Sequence, residues 1–202
     1  MPQTATKINV QFLDTCSKEI STAGWSIRIR KAEGDDKFEL TYKKRYAITG
    51  GDIDTALTIA NKDDFNAGTT KYEAQVEWGY EEQTLSGIID SQKMLIDEAP
   101  DKFDNFKFNK WGTKAIAVSR IFGPVLFSRY IGSWEGMPLY IEIWPLRNSK
   151  GTDIEYIVEA SFKTKDRATA STGKEKLAAC LESNGWFLAK DSLKTKLIME
   201  RY

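Results

Sequence analysis

The chain contains no histidine at any of its 202 positions. This absence excludes catalysis by Ser-His-Asp or Cys-His groups, zinc sites with histidine ligands, and the usual proton shuttle near neutral pH. Any chemistry must therefore use carboxylates, lysines, arginines, tyrosines or a hard metal ion held by oxygen ligands.

Cysteine is also scarce, with only Cys16 and Cys180, far apart in the sequence. The two residues make no metal-ligand spacing, and idle thiols are typical of a reducing compartment. No apolar run approaches the roughly 20 residues that span a bilayer, and residues 1–7 lack the apolar core of a signal peptide. The sequence therefore predicts a soluble, cytoplasmic protein with no membrane partner.

The chain has no net charge, because 29 lysines and arginines balance 29 aspartates and glutamates. A balanced chain has no global field to attract nucleic acid, so no nucleic-acid partner is expected. The balance of charges does not exclude a local positive pocket, and it does not determine the oligomeric state. The length and the ordinary share of hydrophobic residues, 41%, fit one globular domain over residues 1–202.

Alternation of polar and apolar residues dominates the sequence and predicts antiparallel strands. The predicted strands cover residues 7–12, 25–31, 37–43, 71–78, 83–89, 126–133, 139–145 and 154–163. Gly123-Pro124 is expected to break the segment before the sixth of them. Helices are predicted over residues 53–60 and 172–184, the second capped by Ser171 or Thr172, and residues 193–202 are a strand or a helix. The fold class is mainly β with added helices (α+β).

Alternation also sorts the side chains of each strand onto two faces. The charged residues that alternate with apolar neighbours include Arg28, Arg30, Lys43, Glu73, Glu77, Glu142 and Glu159. Two interpretations stay open: a sheet whose charged side faces water, or a barrel whose interior carries Arg, Lys and Glu side chains. Lys44 and Arg45 are interpreted as solvated charges at the end of a hairpin.

Three segments follow one another in an order that is similar to a known family. They are Phe12-Leu13-Asp14-Thr15, Gly24-Trp25-Ser26-Ile27-Arg28-Ile29-Arg30 and Leu40-Thr41-Tyr42-Lys43. They resemble the run YFDT, G-x-x-LRIR and LTLK of the CYTH, or triphosphate tunnel metalloenzyme, superfamily. The resemblance implies an eight-stranded antiparallel β-barrel or tunnel with flanking helices that binds triphosphates with two divalent ions. Activities in the family include triphosphatase, thiamine triphosphatase and class IV adenylate cyclase.

The resemblance also implies roles for particular residues. Arg28, Arg30, Lys43 and Arg129 are expected to bind the substrate. Glu73, Glu77, Glu142 and Glu159 are the expected ligands of Mg²⁺ or Mn²⁺, with a metal-free site as the alternative. Glu73 and Glu159 are the expected catalytic residues, facing Arg28, Arg30 and Lys43 across one cavity.

Two departures from the family change the expected function. In the late acidic pattern, Ile157 stands where a first Glu is expected and Glu142 replaces an aspartate. The family opens with a Glu-x-Glu-x-Lys strand, whereas no glutamate precedes Glu19 in this chain. The prediction is therefore a barrel that binds a phosphorylated or polyanionic small molecule, with triphosphatase activity reduced or lost. Two alternatives stay open: a barrel that binds an organic small molecule, with metal-free cyclase or isomerase chemistry, and a non-catalytic interaction domain.

Overall fold

The computed structural model describes residues 4–63, 65, 73–91, 100–107 and 109–202, with the backbone alone at 90 and 91. Within these residues, eight antiparallel strands form one sheet that curls into a half-barrel. The strands are β1 (Thr6–Thr15), β2 (Trp25–Ala32), β3 (Glu39–Ile48), β4 (Glu73–Trp78), β5 (Gln83–Ser91), β6 (Ser119–Trp134), β7 (Met137–Arg147) and β8 (Ile154–Phe162). Their order is β4-β5-β3-β2-β1-β6-β7-β8, so β4 and β8 are the two edges. The predicted mainly β, antiparallel fold is confirmed, although residues 71 and 72 of one predicted strand lie outside the described residues.

Helices hold fewer of the described residues than the strands do. Those in the described residues are α1 (Glu19–Thr22), α2 (Ile53–Lys62), α3 (Asp101–Asp104), α4 (Trp111–Ala117), α5 (Arg167–Ser183) and α6 (Lys194–Arg201). Of the two forms predicted for residues 193–202, the structure has the helix. None of the described helices has the length and apolar character that crossing a membrane requires.

Helix α5 begins earlier than the predicted 172–184 segment. The Asp166 carboxylate accepts a hydrogen bond from the Thr169 N–H at 2.6 Å and caps the helix there. Ser171 and Thr172 therefore lie inside the helix. Gly173 is buried against β8, and a Cβ at that position would meet the Phe162 ring at 2.6 Å. The missing side chain lets α5 lie close to the sheet.

Strand β6 is continuous where the sequence predicted an interruption at Gly123-Pro124. Its pairing with β1 shifts register between Val10 and Phe12, so the two residues are accommodated as an irregularity between paired stretches. A bulge absorbs a residue without ending a strand. The prediction was wrong because Gly and Pro mark such bulges as well as strand ends.

One hydrophobic core lies between the sheet and the helices α1 to α4. Trp25, Ile27 and Tyr42 from β2 and β3 pack there with Phe103 of α3, and all four are at most 2% exposed. The rings of Trp25 and Phe103 meet edge to face, with centroids 5.2 Å apart. This first core covers the apolar face that alternation predicted for the β2–β3 hairpin.

A second core lies on the other face of the sheet and was not predicted. Its strand members come from β1, β6 and β7: Ile8, Val10, Phe12, Phe122, Val125, Phe127, Trp144 and Leu146. Ile198 and Met199 of α6 pack onto them, and the Phe127 and Trp144 rings stack with centroids 3.8 Å apart. Fully burying such side chains stabilises a fold by about 1.5–3 kcal/mol each. Helix α6 is thus fixed on this face.

Candidate functional site

Strand pairing places the predicted site residues on one face of the sheet. Residues directly opposite one another in antiparallel strands carry their side chains on the same face, and Arg28 lies opposite both Phe12 and Thr41. By the same pairing from strand to strand, all the predicted site residues lie on the face that also carries the second core. We call it the charged face; its predicted members are Arg28, Arg30, Lys43, Glu73, Glu77, Arg129, Glu142 and Glu159.

Glu39 joins the two arginines of β2. Its Oε1 lies 3.2 Å from Nη2 of Arg28, and its Oε2 accepts from Nε and Nη2 of Arg30 at 3.1 and 2.5 Å. Burial raises the pKa of Glu39, but Arg30 and then Arg28 outweigh burial and hold that pKa below its usual value. The carboxylate stays ionised and ties the two guanidinium groups together.

Glu77 holds a second group of cations. Lys43 donates to Glu77 Oε1, and Arg45 Nε lies 3.6 Å from Oε2. Burial raises the pKa of Glu77, but the charges of Lys43 and Arg45 lower it further than burial raises it. Burial also lowers the pKa of Lys43, and the attraction of Glu77 only partly offsets this effect. Arg45 Nη1 also donates to Ser26 Oγ at 3.1 Å.

A third group of charges centres on Glu142, whose side chain is 7% exposed. Its Oε1 accepts from Nε and Nη2 of Arg129 at 2.9 and 2.6 Å. Its Oε2 accepts from Trp144 Nε1 and from Lys194 Nζ, both at 2.9 Å. Lys194 Nζ also donates to Glu159 Oε1 at 2.6 Å. We call Arg129, Glu142, Glu159 and Lys194 the Glu142 cluster.

The two residues predicted to be catalytic are not brought together by any described contact. Glu73 is exposed on edge strand β4 and accepts a hydrogen bond from Gln75 Nε2 at 2.8 Å. Glu159 lies on β8, the opposite edge of the sheet, and is bound to Lys194. Their catalytic roles therefore stay a prediction.

A pocket of about 270 Å³ opens on the charged face next to Arg30 and Arg129. Lys37, Asp35 and Glu39 supply the rest of its charged wall, so three cations meet two carboxylates there. Its remaining lining is Thr6, Ile8, Ala32 and Ile131. The structure therefore brings two of the four predicted substrate-binding residues to one pocket, while Arg28 and Lys43 lie outside its lining.

Three of the four carboxylates predicted as metal ligands are bound by lysine or arginine side chains; Glu73 accepts a hydrogen bond from Gln75. Glu77 is bound by Lys43 and Arg45, and Glu142 and Glu159 are bound by Lys194. Among the described residues, no group of three or more acidic or cysteine side chains is placed to hold a metal ion. A site for Mg²⁺ takes several oxygen ligands that are free to coordinate it.

Three residues of these groups were given no role in the predicted site: Glu39, Arg45 and Lys194. The period-two pattern places Glu39 on the face of Arg28 and Arg30, and the same pattern extends from Lys43 to Arg45. Lys194 lies on a helix remote in sequence, and nothing in the pattern indicated its contacts. Lys44 and Arg45 were also wrongly interpreted as solvated: Lys44 is 8% exposed, and its Nζ donates to the Ala23 carbonyl at 2.5 Å.

Comparison of the sequence with known protein families found no match, and comparison with curated proteins found none. Solved structures do match. One is HpAC1 from Hippeastrum, a candidate adenylyl cyclase described as having a dominant triphosphatase activity; its TM-score is 0.59 at 12% identity, over 98% of this chain and 83% of that chain. Another is a candidate adenylate cyclase from Bacillus halodurans, with a TM-score of 0.51 at 12% identity, over 95% and 81% of the two chains.

These likenesses define the class of fold. The chain has the CYTH-like fold, as the resemblance of residues 12–43 predicted. At 12% identity the likeness concerns the fold, and the activity of a neighbour belongs to that neighbour, since one fold can carry many functions.

Proposed function

We propose that the chain binds a phosphorylated or polyanionic small molecule on the charged face, with triphosphatase activity reduced or lost. The observation that carries the proposal is the pocket between Arg30 and Arg129. Guanidinium groups match phosphate oxygens with paired N–H donors, and Lys37 adds a third cation at the same opening. Ile8, which is 3% exposed, adds a buried apolar side chain to the lining, whereas Ile131 is 53% exposed.

The Glu39 carboxylate at this pocket can be replaced on the arginines by a phosphate group of the ligand. Glu39 holds Arg30 and Arg28, yet its side chain is 41% exposed. A phosphate with several charged oxygens can replace one carboxylate on the arginines, because both offer the same kind of acceptor. The ligand therefore competes with Glu39, and a protein without that negative charge binds the ligand more tightly.

Weak or absent hydrolysis follows from the acidic residues of the charged face. Glu77, Glu142 and Glu159 are each engaged by lysine or arginine. Strand β1 presents Ile8, Val10 and Phe12 to this face, because these three residues belong to the second core. The carboxylate of β1, that of Asp14, is taken up by backbone N–H groups. Activation of water by metal needs oxygen ligands that hold the ion in place.

The proposal is tested by calorimetric titration of tripolyphosphate without metal. Arg30→Ala is expected to weaken binding by about 1.5–3 kcal/mol, the value of hydrogen bonds to a charged group, which is roughly 10-fold to 150-fold in Kd. Glu39→Gln is expected to tighten binding. The matched control is Lys31→Ala, which removes a positive charge one residue further on but from the opposite face, where Lys31 lies over the Phe38 ring; it should bind like the wild type.

Equal affinities of the wild type and Arg30→Ala would exclude the pocket as the binding site. Hydrolysis is measured on the same preparations as phosphate release from ATP and tripolyphosphate with Mg²⁺ or Mn²⁺. We expect little or no release. Strong metal-dependent release that disappears in Glu159→Gln would show that the carboxylates still serve a metal.

A further inference from the structure

The ammonium group of Lys194 lies between two carboxylates of neighbouring strands. Glu142 on β7 and Glu159 on β8 are directly opposite in the strand register. Lys194 Nζ is 2.9 Å from Glu142 Oε2 and 2.6 Å from Glu159 Oε1. Two carboxylates that converge on one point form the start of a cation site. Here the cation at that point belongs to the protein itself.

The acceptor positions of Glu142 are already used. Two N–H groups of Arg129 donate to Oε1, and Trp144 and Lys194 donate to Oε2. An ionised carboxylate offers about four lone-pair positions. A metal ion could reach Glu142 only by displacing one of these donors. Lys194 is the one carried by α6, whereas the other two are on β6 and β7.

The charges of the cluster balance without any further ion. Glu142 and Glu159 carry two negative charges, and Arg129 and Lys194 carry two positive charges. A divalent cation added to this neutral group would meet the ammonium at short range and be repelled by it. Lys194 thus excludes a metal by charge as well as by position.

Helix α6 delivers the ammonium to this point. Ile198 and Met199 anchor the helix in the second core, with exposures of 0% and 7%. Lys194 is the first residue of α6, an end of the helix where the backbone dipole disfavours a positive charge. The two glutamates offset that cost, so the lysine is held by them and not by its place in the helix.

We propose that Lys194 is a built-in cation in the place where a divalent ion would bind to Glu142 and Glu159, so that the charged face binds its ligand without a metal. The inference concerns the same face as the proposed function and rests on it for the ligand. Its test uses Mn²⁺ alone, without any phosphate, so the two proposals can fail separately.

The experiment is a titration with Mn²⁺, in which the electron paramagnetic resonance signal reports the free ion. Lys194→Met keeps the length of the side chain and removes its charge; it is expected to bind one Mn²⁺ at least tenfold more tightly than the wild type. The control is Lys196→Met, an exposed lysine two residues further along α6, which should behave as the wild type. Adding Glu159→Gln to Lys194→Met should abolish the gain.

Two results would overturn the inference. One is a Lys194→Met protein that has the circular dichroism spectrum of the wild type and gains no Mn²⁺ binding. The other is tight binding of Mn²⁺ by the wild type that Glu159→Gln removes. This second result needs no Lys194 variant, so it can be obtained even if that variant fails to fold.

Discussion

At the scale of single residues, the ionisation of the Glu142 carboxyl depends on two opposing effects. Burial raises the pKa of this carboxyl, since a charged group loses its hydration, while Lys194 and Arg129 lower it. The cations prevail, and the pKa of Glu142 lies below its ordinary value of 4.5. The folded state therefore holds the proton of Glu142 less tightly than the unfolded chain does.

This difference makes the stability of the protein depend on pH. A carboxyl with a lowered pKa stabilises the fold above its unfolded pKa and loses that contribution as the pH falls through its folded pKa. Glu142→Gln is expected to cost about 3 kcal/mol at pH 7, as breaking a buried ion pair does. The difference from the wild type should shrink toward zero as the pH is lowered from 5 to about 2, because the wild-type carboxyl then also becomes neutral.

Urea unfolding at a series of pH values measures this difference. The matched control is Glu135→Gln, because Glu135 forms an ion pair with Lys176 in which both side chains are more than half exposed; such a pair contributes about 0–1 kcal/mol. A Glu142→Gln penalty that stays constant between pH 7 and pH 3 would contradict the role given to the charge of Glu142.

Sequence alternation was sufficient to sort these residues by face but not by partner. The period-two pattern placed Arg28, Arg30 and Glu159 correctly, because it depends only on neighbours along one strand. The partner of Glu159 is Lys194, which reaches it from a helix separated in sequence. Contacts of that kind depend on how α6 packs, and a local pattern carries no information about it.

At the scale of elements, Asp14 ties helix α1 to the end of β1. Its side chain is fully buried. Oδ1 accepts from the Ile20 N–H at 2.9 Å and Oδ2 from the Ser21 N–H at 2.9 Å, and Oδ1 also accepts from the Thr15 N–H at 2.8 Å. The aspartate of the Phe12–Thr15 segment thus satisfies backbone donors that a four-residue helix leaves open.

Asp14→Ala should destabilise the fold by about 2–4 kcal/mol, because each buried N–H left without an acceptor costs about 1–3 kcal/mol. Chemical denaturation measures the change. Asp14→Asn keeps one acceptor oxygen and should lose less stability than Asp14→Ala. Asp54→Ala, in the exposed first turn of α2, is the control and should cost less than about 1 kcal/mol. A loss at Asp14 no larger than that of the control would mean that α1 is held by packing alone.

The start of helix α5 shows a limit of predicting elements from the sequence. The cap of α5 at Asp166 stands seven residues before Gly173, and the cap residues Ser171 and Thr172 predicted a later start for the helix. The structure retains Gly173 inside the helix because Phe162 of β8 occupies the space of a side chain. The contact with Phe162 explains the glycine inside the helix, whereas the Asp166 cap sets the helix boundary.

At the scale of the whole molecule, the segment after β8 reaches back to the opposite edge of the sheet. The Asp191 carboxylate accepts hydrogen bonds from three successive N–H groups, those of Tyr80, Glu81 and Glu82, at 2.5–2.9 Å. Lys174 Nζ of α5 donates to the Tyr80 carbonyl at 3.0 Å. The turn between β4 and β5 is therefore fastened to the chain that leaves the other edge strand, β8.

Removing this link should loosen the turn without unfolding the protein. Asp191→Ala is expected to speed amide hydrogen exchange at residues 80–82, since those N–H groups lose their acceptor, and to lower Tm by only a few degrees. Mass spectrometry of exchanged peptides gives the measurement. Asp153→Ala is the control, because the Asp153 side chain accepts a hydrogen bond from the neighbouring Ile154 N–H at the start of edge strand β8. Unchanged exchange at residues 80–82 would show that the link contributes nothing to order in the turn.

The division of the fold into two cores has a consequence for the protein as it is synthesised. A ribosome releases residues in order, and folding can begin as they emerge. Buried members of the first core run from Leu13 to Ile116, so that core can assemble while later strands are still being translated. The second core joins Ile8 to Met199 and cannot be completed until α6 has emerged. The apolar surface around Trp144 therefore stays partly uncovered in the nascent chain until α6 has emerged.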